Sequence, residues 1–500
     1  MRKIGIWCLL LLMVFGTVSC GKKDATPDSS GSGKGTEVKS PESTIETDEF
    51  GQEVVDNEIP SDLNYGGKTV NIVMRPRDLW VREFGLEKRA DSVDNQVYYR
   101  NIAVENQLGI KIKINKRNEL TNENLSSYVY ASWLGNTGDM DLVVGSAYFM
   151  AGAAVKECFT DYNDSAKMPY LKTSKPWWNQ NYIHTAEVFG KLYYLIGDIN
   201  LSVWDRTIVT FANLTQLEAI GKGDILDTVL NYEWTVEAMQ SLLREIPFTE
   251  QDNVDGPTAG DKYALHSVKA SEAWDGFYGA FRLRMMERNE DGTYNLRVSG
   301  NQKLIDASTL VHNFYNRDNV YLTQTFDDTF VDGRATFEID VLYSGADQNY
   351  KLRSMTDKYA ILPLPMYDSA QKEYGYGATA QDTYNLMGVM SCSSTDQKMM
   401  SAFLELMCSK SYEKVRPSYV EQMLKGKYLK EAKNVRVMEM IFDAVYFDPA
   451  IIYSTQLENI EWNIWRAPTS KGESVSTAWG TWERKVKKAL DDFETWYMAN

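Results

Sequence analysis

A regular alternation of strand-like and helix-like segments between residues 68 and 145 limits the fold of this chain most strongly. The segment that starts at Lys68 alternates in polarity, as a half-buried β-strand does, and Ile110 to Ile114 repeats the pattern. Residues 141–145 (DLVVG), with three consecutive apolar residues, are typical of a fully buried strand. Helix-like segments separate the three strands. This order predicts an α/β fold with a mostly parallel sheet covered by helices.

The first of these helices has recognisable ends. Asp91 or Ser92 can cap its start, and Gly109 can end it in the left-handed conformation. The apolar residues between these ends fall on one face, namely Val93, Val97, Val104 and Leu108. A second helix is expected at about residues 123–134.

Later segments predict a second α/β unit. Residues 207–212 favour a strand, and residues 234–246 and 273–288 favour helices. Ser394 and Gln397 are expected to form a capping box at the start of a further helix. The last helix has one apolar face, made of Trp479, Trp482, Val486, Leu490, Phe493 and Tyr497.

The N-terminal residues are typical of a bacterial lipoprotein signal. Arg2 and Lys3 precede an apolar run over residues 4–15, and small residues then lead to Cys20. We therefore expect cleavage before a lipidated Cys20, which would hold the protein at the extracytoplasmic face of the cell membrane. Thr17 stands where such signals usually carry a large aliphatic residue, so an unlipidated secreted form is the alternative.

Composition separates a tether from a folded body. Residues 21–60 are rich in Ser, Gly, Thr, Pro and charged residues, which favours a flexible linker. The remaining chain, roughly 440 residues, is too long for one hydrophobic core and predicts two lobes. The net charge of −16 argues against nucleic acid and anionic membrane surfaces as partners. After the signal, no apolar stretch is long enough to span a membrane.

Catalytic and metal-binding patterns are scarce. His184, His266 and His312 are the three histidines, and neither HExxH nor GxSxG occurs. The acidic loop at residues 251–256 lacks two ligands of a calcium loop, so a polar turn is favoured over a metal site. No cofactor is expected. A glycan hydrolase stays an alternative, because 69 acidic residues could supply a carboxylate pair.

Three cysteines of the body lack the spacing of metal ligands and cannot all pair within one chain. They are Cys158, Cys392 and Cys408. Buried thiols that pack as small apolar residues are favoured. Whether two of the three form a disulfide stays open from the sequence.

A series of short motifs follows one another through the body. They are residues 68–74 (KTVNIVM), 95–101 (NQVYYRN), 139–144 (DMDLVV), 175–178 (KPWW), 190–194 (GKLYY), 197–198 (GD), 333–337 (GRATF), 361–365 (ILPLP), 416–419 (RPSY) and 424–428 (LKGKY). In this order they resemble the extracellular solute-binding proteins of ABC importers, in particular the family 1 group that mostly carries sugars and oligosaccharides. The resemblance extends over about residues 65–497.

The resemblance implies a two-lobed periplasmic-binding-protein fold of type II, with a ligand cleft between the lobes and a hinge of chain crossings. It also implies a monomer that presents a carbohydrate to an ABC permease driven by a separate ATPase. The expected divisions are a signal peptide at 1–19, the lipidated cysteine and tether at 20–62, the N-terminal lobe at 63–203, the C-terminal lobe at 204–378, a return to the N-terminal lobe at 379–440, and C-terminal helices on the C-terminal lobe at 441–500. The sequence is also compatible with a receptor for a non-sugar solute and with an adhesion lipoprotein.

The aromatic content agrees with a carbohydrate ligand. Sugar rings stack their apolar faces on aromatic rings, and their hydroxyls bind carboxylates and amides; the chain has 13 Trp and 30 Tyr. By position in the resemblance, the candidate ligand-binding residues are Tyr148, Trp204, Asp205, Trp274, Asp340, Tyr343, Asp382, Tyr384, Trp462 and Trp465. Packing inside the lobes is the alternative for each, and an ion pair with Arg206 at the hinge is the alternative for Asp205.

Overall fold

The structure, a computed structural model, describes residues 54–499 with short gaps. The gaps are residues 75–81, 90, 118–119, 122–123, 155, 253, 255, 269–270, 326, 346–351, 353–354, 382 and 425–431. The predicted signal, Cys20 and most of the predicted tether lie outside the described residues. The candidate ligand-binding residue Asp382, two residues of the acidic loop, Asn253 and Asp255, and residues 425–428 also lie outside them.

The first sheet has four strands in the order β11-β3-β1-β2. These strands are β1 (Lys68–Met74), β2 (Ile110–Lys116), β3 (Leu142–Ser146) and β11 (Asn385–Val389). β1 pairs in parallel with β2 and β3, whereas β11 is antiparallel to β3. The three strands predicted from the alternation near the start of the body are thus confirmed, and so is their parallel arrangement. β11 joins them from much later in the chain.

The second sheet has five strands in the order β10-β4-β9-β5-β8. They are β4 (Ile208–Asn213), β5 (Tyr263–Val268), β8 (Val320–Thr323), β9 (Ala335–Val341) and β10 (Tyr359–Leu362), and a separate hairpin contains β6 (Met286–Arg288) and β7 (Tyr294–Leu296). β5 is parallel to β8 and β9, while β4 is antiparallel to β9 and β10. Each sheet is the core of one lobe.

Helices pack on both sheets. In chain order they are α1 (Ser92–Leu108), α2 (Leu125–Gly135), α3 (Ala147–Ala154), α4 (Gln180–Ala186), α5 (Leu201–Asp205), α6 (Leu214–Ala219), α7 (Ile225–Leu230), α8 (Val236–Glu245), α9 (Ser271–Ala280), α10 (Gln302–Tyr315), α11 (Gln397–Lys410), α12 (Arg416–Met423), α13 (Ala432–Asp443), α14 (Pro449–Ile452), α15 (Ala467–Lys471) and α16 (Val475–Ala499). One π-helical turn, Ser411–Val415, joins α11 to α12, and another, Glu461–Arg466, leads into α15.

The ends of α1 are as predicted. The Asp91 side chain accepts hydrogen bonds from the backbone N–H groups of Val93 and Asp94. Gly109 ends the helix at φ 59°, a left-handed conformation that glycine adopts without a Cβ clash. The four apolar residues predicted for one face of this helix are all buried.

Two helix predictions were wrong in part. The residue that caps α11 is Asp396, whose side chain accepts from the Met399 N–H, so the predicted capping box of Ser394 and Gln397 does not form. An aspartate directly before a helix competes well with serine as a cap. The segment predicted as helical over 273–288 leaves the helix at Ala280 and ends in β6.

The hinge consists of three extended segments that run side by side between the two sheets. The Ile208 N–H donates to the Thr379 carbonyl at 2.9 Å, which joins the first segment to the second. The Ala378 N–H donates to the Ala444 carbonyl at 2.8 Å, which joins the second to the third. A few backbone hydrogen bonds thus hold the crossings together.

The three body cysteines are buried, as predicted, and all three are free thiols, which answers the question of pairing that the sequence left open. Burial raises the pKa of the Cys158 thiol to about 12. Within the part of the chain that the structure describes, no helix has the length and apolar character needed to cross a lipid bilayer.

Candidate functional site

One segment, residues 459–466, contacts both lobes. The Tyr148 hydroxyl, at the start of α3 directly after β3, donates to the Asn459 side-chain oxygen. A few residues later the Trp465 indole N–H donates at 3.1 Å to the carbonyl of Trp274 in α9. Because α3 packs on the first sheet and α9 on the second, this segment spans the boundary between the lobes.

Trp462 presents a largely exposed ring in this segment. About half of its surface is accessible, 51%, whereas Trp465 three residues later is fully buried. The Arg466 guanidinium lies 5.5 Å from the centroid of the Trp462 ring. Exposure of so large an apolar ring costs free energy, so a ring fixed in this way is a good platform for a ligand.

Two carboxylates hold the arginine that lies beside this tryptophan. Arg466 binds the Asp275 carboxylate of α9 through two nitrogens, and its Nη2 atom lies 2.9 Å from Glu461 Oε1. The two carboxylates and the guanidinium are mostly buried. Such a set offers both hydrogen-bond donors and acceptors to a polar ligand beside the apolar ring.

A second group of side chains, around Arg82 and Asp205, connects the lobes near the hinge. Tyr343 follows β9 in the second lobe, and the Arg82 guanidinium lies 5.8 Å from its ring centroid. Arg82 Nη1 is 3.4 Å from Asp205 Oδ2, and the Tyr419 hydroxyl donates to Asp205 Oδ1 at 2.8 Å. The ion-pair partner of Asp205 that this geometry shows is therefore Arg82.

Burial and charge act against each other in this group. Burial alone would lower the pKa of Arg82, because it disfavours the charged guanidinium. The nearby carboxylates of Asp205 and Asp94 have the larger effect and raise this pKa above its usual value. Burial raises the pKa of Asp205, against the effect of Arg82 and Tyr419. Glu83, which accepts from the Ser202 N–H and the Asn385 amide, has its pKa raised by burial to about 7.

Three of the predicted ligand-binding rings lie in packed surroundings. Trp274 is 3% exposed and meets the Tyr315 ring edge to face at 5.1 Å, and Trp465 meets Tyr278 in the same way at 5.4 Å. Tyr384 is buried beside Phe447. Each of these three rings thus packs against another aromatic ring.

Asp340 and Trp204 are also buried, but at the hinge. The Asp340 carboxylate, in β9, accepts from the Val341 N–H at 2.6 Å. Trp204, in the first crossing, packs on the rings of Tyr419 and Phe442 at 5.3 and 5.1 Å. Its remaining face borders a polar cavity beside the hinge.

Sequence reasoning did not select Asp275, Glu461 or Arg466. Arg466 stands four residues after Trp462, a spacing that places two side chains on one side of a helical turn. That spacing was the available signal. No local pattern identifies Asp275, because this residue is 191 positions away from Arg466 in the chain.

The two sheets, the hinge of three crossings and the segment that bridges the lobes define a protein with the periplasmic-binding-protein-like fold of type II. No protein-family model matches the sequence, and no curated protein matches it either. Solved structures do match it along most of its length, at 11–14% identity in those with the better superpositions. At such low identity, the structural likeness shows the fold and nothing further.

Three of these structures illustrate the likeness. The sugar-binding protein MalE of Xanthomonas citri superimposes with a TM-score of 0.58 at 14% identity, over 87% of this chain and 100% of that one. An ABC-transporter solute-binding protein of Thermotoga lettingae bound to α-D-tagatose gives 0.54 at 14% identity, over 85% and 100%. A B. animalis subsp. lactis ABC-transporter-associated binding protein in complex with β-1,6-galactobiose gives 0.51 at 12% identity, over 86% and 98%. The predicted fold is thereby confirmed.

Proposed function

We propose that this protein is the solute-binding component of an ABC importer and that it captures a sugar or an oligosaccharide between its lobes. The single observation that carries the proposal is the exposed Trp462 ring in a segment that contacts both lobes. The ligands bound in two of the similar structures, tagatose and galactobiose, agree with this ligand class. The protein would deliver its solute to a membrane permease with a separate ATPase.

The chemistry of the bridging segment supports a saccharide. The apolar C–H face of a sugar ring can stack on Trp462, while Asp275, Glu461 and Arg466 offer acceptors and donors to its hydroxyls. A ligand that contacts both lobes favours the closed arrangement, because it binds that arrangement better than the open one. Tyr343, across the hinge from Arg82, is a second aromatic surface for the same ligand.

The test is a screen of mono- and oligosaccharides against the purified body, residues 54–500. A ligand that binds the folded state raises the unfolding temperature in a saturable way, and calorimetry then gives its affinity. Products of any hit are analysed after prolonged incubation. Saturable binding without turnover supports the proposal, and turnover of a glycan would instead identify the alternative, a hydrolase.

Arg466 bears on that alternative. A glycosidase needs one carboxylic acid that is protonated before the reaction. Asp275 and Glu461 both contact the Arg466 guanidinium, and a nearby cation favours the ionised form of a carboxylate. The two carboxylates beside Trp462 are therefore poor candidates for that acid, and a hydrolase would need another carboxyl group.

The anchor and the monomeric state are part of the same proposal, and so are the lobe boundaries, except that α13, most of which was expected in the N-terminal lobe, packs on β10 of the second lobe. Lipidation at Cys20 would place the body at the extracytoplasmic face of the membrane, with residues 21–60 as a tether. Replacing Cys20 by Ala in the producing cell is expected to release the protein from the membrane fraction. Retention of the variant in that fraction would contradict the lipid anchor.

A further inference from the structure

The polar cavity that Trp204 borders beside the hinge has a volume of about 320 Å³ and is not lined by Trp462. Trp178 and Asp198 line it from the first lobe, just before the chain crosses. Phe442 and Asp443 line it from the end of α13, which packs on β10 of the second lobe. Trp204 closes the side formed by the crossing.

Asp198 has an unsatisfied carboxylate oxygen at this cavity. The residue is 8% exposed, and its Oδ2 atom accepts no hydrogen bond from any described residue. The Nη1 atom of Arg416 forms an ion pair with this oxygen at 3.7 Å, a distance that is too long for a hydrogen bond. A buried acceptor without a donor is costly, so this oxygen is a natural contact for a ligand that donates.

Two carboxylates and one guanidinium line this cavity. Arg416 faces Asp198 and also Asp443, so one guanidinium stands between two carboxylates. The other titratable group that interacts with Asp198 is the Cys408 thiol, whose pKa burial raises well above its usual value, so it stays neutral. Among the described residues that line this cavity, one cation thus faces two carboxylates, and burial raises the pKa of both.

We propose that this cavity binds a small organic ligand that carries one ammonium group. The ammonium would donate hydrogen bonds to Asp198 Oδ2, which accepts none from the described residues, and to the Asp443 carboxylate, and it would add a second cation beside Arg416. The Trp204 and Phe442 rings would contact its carbon chain. The ligand would touch both lobes at a place separate from Trp462.

The test uses three probes of similar shape and different charge: 4-amino-1-butanol, 1,4-butanediol and 4-hydroxybutanoate. Isothermal calorimetry on the body is expected to show saturable binding of the amine and none of the diol or the acid. Burial raises the pKa of Asp198 to about 7, so the fraction of ionised Asp198 rises about tenfold from pH 6 to pH 8. The affinity of the amine should rise by about the same factor. Equal affinity for the amine and the diol, or no binding of the amine, would overturn the proposal.

Three variants test whether the amine binds in this cavity. Asp198→Asn is expected to abolish amine binding, and Asn keeps the shape of the side chain. Asp443→Asn, on the opposite wall, should weaken the binding at least tenfold and decides the matter if Asp198→Asn does not fold. Asp491→Asn, an exposed carboxylate on α16, is the control and should bind the amine as the parent protein does. Unchanged amine binding in a folded Asp198→Asn or Asp443→Asn protein would show that the cavity is not the site.

Discussion

Arg466 holds Asp275 with two nitrogens, Nε at 3.1 Å from Oδ1 and Nη2 against Oδ2. The pair fastens the segment that carries Trp462 to α9 of the second lobe. A planar guanidinium matches a carboxylate in this two-point contact, whereas the single ammonium of lysine does not. The geometry of the exposed tryptophan thus depends on an arginine four residues later.

We therefore expect Arg466→Lys to reduce saccharide affinity about tenfold or more while the protein stays folded. The reason is the loss of a buried, charge-assisted hydrogen bond, about 1.5–3 kcal/mol. Calorimetry with the best saccharide of the screen measures the change. Arg297→Lys is the control, because Arg297 pairs with Glu287 on the surface, where both side chains are exposed. An equal loss in both variants would contradict the role given to Arg466.

Trp462→Ala should remove most of the saccharide binding and change stability little. The ring is half exposed, so its truncation costs the fold little burial, but the ligand loses its stacking surface. Trp482→Ala serves as the comparison, since the Trp482 ring on α16 is also partly exposed and has the Lys485 ammonium 4.6 Å from its centroid. If Trp482→Ala weakens binding as much as Trp462→Ala, the ligand does not stack on Trp462.

Gly197→Ala is expected to destabilise the protein by about 1–3 kcal/mol, as overpacking of a core does. A Cβ at Gly197 would stand 2.5 Å from the Cys408 sulfur and 2.8 Å from the Trp177 carbonyl oxygen. Gly480→Ala, in the exposed part of α16 with open space around it, should instead stabilise by up to about 1 kcal/mol, because alanine favours a helix over glycine. Urea unfolding of the two variants measures both changes. The same sign of change in both would contradict overpacking at Gly197.

Glu405 makes the stability of the protein depend on pH near neutrality. Burial raises the pKa of this carboxyl to about 7, although hydrogen bonds from the Lys172 N–H and from the indoles of Trp178 and Trp177 lower it. In the unfolded chain a glutamate has a pKa of about 4.3. Between these values the folded state holds a proton that the unfolded state has lost. The stabilisation is therefore complete below about pH 4 and is lost as the pH rises through about 7.

The unfolding temperature should accordingly fall between pH 6 and pH 8, and Glu405→Gln should make this fall smaller. Part of this fall should remain, because burial also raises the pKa values of Asp198 and Glu83 to about 7. Glu421→Gln, at an exposed position of α12, is the control and should follow the parent protein. A fall of the same size in Glu405→Gln and the parent would rule out a contribution of Glu405.

Local patterns in the sequence determined the secondary structure near the start of the body. The alternation of β1 and β2, the cap at Asp91 and the turn at Gly109 each depend on residues within a few positions of one another. The failures were local as well. Asp396 and Ser394 both favour a helix start, and the sequence does not say which of two such neighbours will serve.

The sequence by itself determined that this chain forms two α/β units with buried thiols, because hydrophobic periodicity and helix ends are written in short stretches of residues. Only the tertiary structure decided which aromatic rings of the bridging segment are exposed. Trp462 and Trp465 are three residues apart and chemically identical, yet one is half exposed and the other is buried against α9. Contacts such as Arg466 with Asp275, or Asp198 with Arg416, join residues that are far apart in the chain, and they exist only after both lobes have packed.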